Sequence, residues 1–177
     1  SRGLGDVYKR QDISFSVPEI TGVWPALWMM PEKSVYGNWP RSGEIDIVET
    51  INEKSDELVT TIHYGHDYHR QISKTTFLNQ LTKLSNPIDH NKISLIWEEK
   101  YFEWLLNDQL VFKVNFNEVE NLEPNPFLEE FYLLINVAVG GNWPGTPNST
   151  MYCNSRKSCP DVKKLIVDYI AYYEKIN

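Results

Sequence analysis

Glu44, Asp46 and Glu49 fall within one six-residue run, Glu44-Ile45-Asp46-Ile47-Val48-Glu49, in which three carboxylates alternate with β-branched residues. Residues of this kind favour a strand. Side chains alternate faces along a strand, so Glu44 and Asp46 share one face while Ile45 and Ile47 share the other. Glu49 has the wrong parity, and one β-bulge near Ile47-Val48 would return it to the face of Glu44 and Asp46. Three like charges on one wall of a sheet oppose one another's ionisation. That cost has a chemical use, because it lifts one carboxyl pKa while another stays ionised, giving an acid beside a nucleophile. Two carboxylates about 5–5.5 Å apart serve double displacement at a glycosidic carbon, whereas about 6.5–9.5 Å admits a water for direct inversion. Same-face neighbours on a strand lie about 6.6 Å apart. Glu44 and Glu49, with Asp46 between them, therefore start too far apart for double displacement unless their long side chains lean inward and the bulge shortens the gap.

The segments that must hold this run read as strands. Ile13–Val17 alternates and ends at Pro18, and Val23–Met30 is an aromatic-rich run closed by Pro31. Leu58–Tyr64, Ile93–Trp97 and Tyr101–Leu106 follow, and Asn107-Asp108 forms a hairpin turn into Leu110–Val114. Phe131–Val139 is a continuous apolar run before Gly140-Gly141, and Leu165–Tyr173 alternates again. Sustained helical periodicity is absent, with a single turn expected around Phe127–Glu130. Short strands separated by turn signals predict an all-β sandwich or jelly roll.

The chain has 177 residues and suits one domain. It is 41% hydrophobic and 23% charged, the balance of a globular protein. Lys and Arg total 17 against 24 Asp and Glu, a net charge of −7 without basic clusters, which argues against nucleic acid as a partner. No apolar run is long enough for a membrane helix. Ser1–Gln11 lacks apolar periodicity and resembles a translated adapter remnant, so 1–11 is expected to be a non-native leader outside the fold and 12–177 the domain, entered part-way through. A sandwich lacking its initial strands is expected to fold poorly alone. Cys153 and Cys159 are close enough to be bridged in an oxidising compartment, and Asn148 begins an Asn-Ser-Thr glycosylation sequon. Together they favour a secreted protein.

The segment WPRSGEIDIVE (39–49) resembles the active-site strand of glycoside hydrolase family 16 in its bulged form, that of the laminarinases. GVWPALWMMP (22–31), TIHYG (61–65), the Ile93–Val114 hairpin, FYLLINVAVGGNWPG (131–145) and LIVDYIAYYE (165–174) follow in family order, so the likeness spans about Asp12–Glu174. The resemblance implies a concanavalin A-like jelly roll, incomplete at its N-terminus. It also implies a retaining endo-hydrolase of β-1,3-glucan, with Glu44 as nucleophile, Glu49 as acid/base and Asp46 between them. The partner is then a β-glucan polysaccharide, met by a monomer without a catalytic cofactor. Two alternatives remain open: hydrolysis of a mixed-linkage β-glucan or a galactan on the same fold, and recognition of β-1,3-glucan without cleavage.

Other positions carry less specific readings. Trp39 and Trp143 resemble sugar-stacking aromatics of the family. Trp24 and Trp28 share a strand face; Trp24 stands between cleft and core, while Trp28 is expected in the core with Trp97 and Trp104. His63 resembles a family histidine that could bond Asp46 or a sugar, and a satisfied buried histidine is the other reading. Asn136 lies in an apolar run and needs a partner if buried. His66, Asp67 and His69 have a metal-like composition, but their polar loop favours a solvated surface. Asp168 resembles a family ligand for a structural calcium, whose remaining ligands would come largely from elsewhere.

Overall fold

The computed structural model describes residues 9–18, 20–51, 56–78, 90–147 and 164–174. Within these residues ten strands run β1 (Lys9–Ser16), β2 (Val23–Pro31), β3 (Glu44–Glu49), β4 (Glu57–Tyr64), β5 (Arg70–Phe77), β6 (Asn91–Trp97), β7 (Tyr101–Leu106), β8 (Gln109–Asn115), β9 (Phe131–Val139) and β10 (Ile166–Glu174). They form two five-stranded antiparallel sheets, ordered β10-β1-β6-β7-β8 and β5-β4-β3-β2-β9. This is the all-β jelly-roll sandwich expected from the strand spacing. The helical turn expected near Phe127 is a 3-10 turn at Pro126–Leu128, capped where Phe127 N donates to Asn125 Oδ1 at 2.9 Å. Among the described residues no helix is long and apolar enough to cross a membrane.

Alternation builds the core. In β7, Phe102, Trp104 and Leu106 are buried while the residues between them are not. They meet Ile13 and Phe15 of β1, Leu27 and Met29 of β2, Ile45 and Ile47 of β3, and Ile62 of β4 in one cluster. Phe102 packs edge-on against Trp104, Phe116 and Phe127, an arrangement that suits the aromatic quadrupole. The β7–β8 hairpin turns at Asn107 and Asp108, with φ of 50° and 66°. Both values lie in the left-handed region that a primed hairpin turn requires.

Two expectations need correction. The boundary drawn at Gln11 cuts through a strand: Lys9, Arg10 and Gln11 extend β1 and pair with Trp97, Ile96 and Leu95 of β6. The reason is electrostatic as well as backbone pairing, because Arg10 Nε donates to Asp12 at 2.6 Å and its guanidinium also reaches Asp108 at 3.3 Å. Strand β5 was not anticipated. Its sequence, RQISKTTF, is mostly polar because β5 is an edge strand with little of its surface buried, so the alternation signal is faint.

Candidate active site

The bulge forms where parity demands it. Along β2, Leu27 pairs with Val48 and Trp28 with Asp46, which skips Ile47. Along β4, Asp46 pairs with Thr61 and Glu49 with Val59, so β3 spends one residue more than its neighbour. Ile45, Ile47 and Val48 all enter the core. Glu44, Asp46 and Glu49 all point to the other face, where they line one cavity of about 160 Å³ with Trp24, Ala26, Trp28, Asn136 and Ala138. Gly43 admits the chain to β3 with φ of +83°, and a Cβ there would lie 3.1 Å from both Phe127 and Phe131. A side chain at that point would be strained in backbone and crowded in space.

Each carboxylate has a dedicated partner from a different segment. The Trp39 indole donates to Glu44 Oε2, and Trp24 Nε1 donates to Glu49 Oε1 at 2.8 Å. His63 lies opposite Glu44 on β4, and its Nε2 stands 3.0 Å from Asp46 Oδ2. That ion-pair contact is close but too poorly aligned for a well-directed hydrogen bond. An indole N–H only donates and never ionises, so it fixes one carboxyl oxygen as acceptor in either protonation state. On a protonated Glu49 the proton then belongs on the oxygen that Trp24 leaves free.

Burial is the largest influence on the outer pair. It raises Glu49 to about 8, with Asp46's charge adding to the rise and the Trp24 hydrogen bond opposing it. Glu44 rises to about 7 for the same first two reasons, opposed by His63 and the Trp39 hydrogen bond. The two values belong to a coupled pair that loses its protons in succession. Burial alone would lower His63, but the close Asp46 carboxylate, with Glu44 and Glu49 behind it, outweighs that and raises it.

The other expected residues divide. Trp39 and Trp143 are exposed, at 49% and 39%, with the His69 ring 4.7 Å from that of Trp39. Trp143 packs edge-on against Trp24 with ring centroids 4.8 Å apart. Trp28 is not in the core: it lies on the cleft face and its Nε1 donates to Asn136 Oδ1 at 2.7 Å. Two residues apart from Ala26 on β2, it shares the face of Trp24, so the face was legible and its orientation was not. Asn136 is exposed rather than buried. Trp97 and Trp104 are core residues, at 6% and 0% exposure.

The histidines of the β4–β5 turn do not gather as a metal site; among the described residues only Glu44, Asp46 and His63 bring potential ligand atoms within 4.8 Å of one another. His69 instead joins the carboxylate site, with Nε2 2.8 Å from His63 Nδ1. Composition marked it for the wrong chemistry, because its contact depends on how the turn folds back. Asp168 sits on β10, in the sheet opposite the cleft, where one oxygen accepts from Ser14 Oγ at 3.0 Å and also meets His90 Nδ1. Among the described residues these partners supply Asp168 with one hydroxyl and an imidazole, whereas calcium takes six to eight oxygens. Asn148, Cys153 and Cys159 lie outside the described residues.

A β-sandwich face with crowded carboxylates, flanked by indoles, has the groups that glycosidic-bond chemistry requires. Comparison with known proteins agrees. Residues 11–95 match the model of the XgeA-like catalytic domain of glycoside hydrolase family 16. The chain is 35% identical to glucan endo-1,3-beta-glucosidase A1 of Niallia circulans, a match covering 95% of the chain and 24% of that protein. It is also 35% identical to a glucan endo-1,3-beta-glucosidase of Cryptopygus antarcticus, over 73% of the chain and 49% of that protein. The laminarinase catalytic domain of Thermotoga maritima MSB8 superposes with a TM-score of 0.79 at 28% identity, covering 99% of the chain and 67% of that domain. The chain belongs to glycoside hydrolase family 16. It spans between about a quarter and a half of the length of these two curated relatives.

Proposed function

We propose that the chain carries the catalytic strand of a retaining endo-hydrolase of β-1,3-glucan. The observation that supports this best is the bulge of β3, which brings Glu44, Asp46 and Glu49 into one cavity between indole rings. In this reading Glu44 attacks the anomeric carbon as Glu49 protonates the glycosidic oxygen, and the bond to the leaving sugar breaks. Glu49, now ionised, takes a proton from water, whose oxygen displaces Glu44 and releases the second sugar. Burial and the charge of Asp46 raise both carboxyls, so the coupled pair releases its protons in succession and can hold one while the other is gone, as an acid beside a nucleophile requires. Asp46 and His63 hold charge beside both carboxyls as they exchange protonation states. Trp39 and Trp143, both exposed beside the carboxylates, supply the apolar surface that pyranose rings stack on. The small side chains Ala26 and Ala138 between them leave the cavity floor low. A polymeric substrate suits action outside the cell, and one chain holds all three carboxylates, so a monomer suffices.

Laminarin cleavage by wild type and by Glu44→Gln tests the reading. The substitution keeps an acceptor for Trp39 but removes the nucleophile, so kcat should fall at least about 10³-fold. Unchanged activity would sink the assignment of Glu44. Binding of laminarin without cleavage by wild type would favour a recognition protein, and cleavage confined to mixed-linkage glucan would move the substrate.

A further inference from the structure

The β4–β5 turn places an unassigned histidine against two of the groups that hold the carboxylates. His69 Nε2 lies 2.8 Å from His63 Nδ1, and the two rings stack with centroids 5.0 Å apart at 27°. The His69 ring also lies 4.7 Å from the Trp39 ring, and Trp39 in turn donates to Glu44. The turn is not free to wander. Arg41, two residues beyond Trp39, donates from Nε to the His66 carbonyl at 2.9 Å, joining the segment that carries Trp39 to the turn that carries His69. Ser42 fixes that same segment, donating to the Gly37 carbonyl at 2.7 Å while accepting from Tyr36 N at 3.1 Å.

The chemistry of the contact follows from the inventory of imidazole donors and acceptors. His63 Nε2 faces the buried Asp46 carboxylate and therefore carries a proton in both charge states of the ring. When His63 is neutral, its Nδ1 accepts a hydrogen bond from His69 Nε2–H. When His63 is cationic, its Nδ1–H donates to the Nε2 lone pair of a neutral His69, whose own proton sits on Nδ1. Between the two states His69 Nδ1 takes a proton from solvent as the Nε2 proton crosses to His63 Nδ1, and neither ring has to turn. We propose that His69 is a positioning residue, whose Nε2 holds the His63 ring against Asp46 in either charge state and whose ring braces Trp39 on Glu44. In the hydrolase reading above, this keeps the partner of Asp46 in place while Glu44 and Glu49 exchange charge during turnover.

The charged groups facing His63 are Glu44, Asp46 and Glu49 from β3, with His69 from the turn. The three carboxylates favour a cationic His63, whereas slight burial and the charge of His63 both hold His69 below its ordinary value. The extra proton of the pair therefore belongs on His63, with His69 as its acceptor.

Imidazole nitrogen and carbon NMR resonances, followed against pH, test the assignment in the whole chain without substrate. His69 is exposed on a turn, so replacing it should leave the fold intact. His69→Phe keeps a ring against His63 and Trp39 but removes the hydrogen bond; His69→Gln restores a donor and acceptor near the Nε2 position. In His69→Phe the His63 pKa should fall by about one unit, as expected for a lost hydrogen bond to a charged group. In His69→Gln it should stay near the wild-type value. Laminarin cleavage should follow, with kcat down about tenfold in the Phe variant, KM little changed and the Gln variant largely rescued. An unchanged His63 titration in His69→Phe, or a fall as large in His69→Gln, would overturn the proposal. Failure of wild type to cleave any glucan would instead remove the proposed function, and the His63 titration would still decide this point.

Discussion

Glu49→Gln removes one ionisable group while keeping the carbonyl oxygen that accepts from Trp24, and its effect on stability should depend on pH in one direction. Glu49 is 9% exposed. Its pKa rises from 4.5 to about 8, first through burial and then through the charge of Asp46. Between these values the unfolded chain has released the proton and the folded chain still holds it. The folded state thus binds more protons, so stability is complete below the ordinary carboxylate value, declines as pH rises and levels off above about 8. At about 1.36 kcal/mol per unit, this displacement corresponds to at most about 5 kcal/mol. Water entry and side-chain adjustment in a real cleft reduce such a cost, so about 2–3 kcal/mol is expected. Urea unfolding followed by circular dichroism at about pH 4, 6 and 8.5 measures it. Wild type and variant should coincide at the lowest pH, and the variant should be the more stable at the highest. Glu44, which both proteins keep, leaves a residual slope in each. A constant difference at every pH would refute the account. A variant less stable at high pH would show that the Trp24 N–H stabilises the Glu49 anion more than burial disfavours it.

Two further perturbations separate the electrostatic and backbone contributions to the site. Trp24→Phe removes the donor that lowers Glu49, so the alkaline limb of kcat/KM on laminarin should move up by about one unit from its expected position near 8. A downward or absent shift in the pH–rate profile would count against the hydrogen bond. Gly65→Ala places a Cβ 2.2 Å from the Tyr68 carbonyl oxygen, at a φ of +123°. It should cost about 2–3 kcal/mol in urea unfolding, and should weaken laminarin cleavage by displacing the turn that carries His69.

The sandwich was legible wherever one strand face was buried and the other was not. Phe131–Val139 was bounded correctly because an apolar run ended at paired glycines, and the Asn107-Asp108 turn announced itself through residues that tolerate positive φ. Strand β5 was not legible, because an edge strand with mostly exposed residues has no apolar face to advertise. Residues 9–11 failed for a different reason. Lys9, Arg10 and Gln11 look like leader composition, yet they continue a strand whose backbone partners β6 and β10 lie far along the chain. Backbone pairing is indifferent to side-chain pattern, so a polar extension of a real strand leaves no periodic mark.

Within the site, the carboxylates were legible because parity is a local property. The wrong phase of Glu49 called for a bulge, and the register shifts on both sides of β3 supply it. What surrounds them was not local. Trp39 reaches Glu44 across five residues, Trp24 reaches Glu49 across 25, and His69 arrives by a turn that reverses the chain. Face assignment puts Trp24 and Trp28 on one side of β2 but does not choose between core and cleft; that choice depends on the neighbouring sheet position. Ala26 and Ala138 make it, because small side chains beside the two indoles leave room for them over the carboxylates. The bulge thus does two things with one residue. It turns Glu49 toward the cleft, and it sends Val48 with Ile47 into the core, so apolar burial on one face helps offset the cost of crowding three acids on the other.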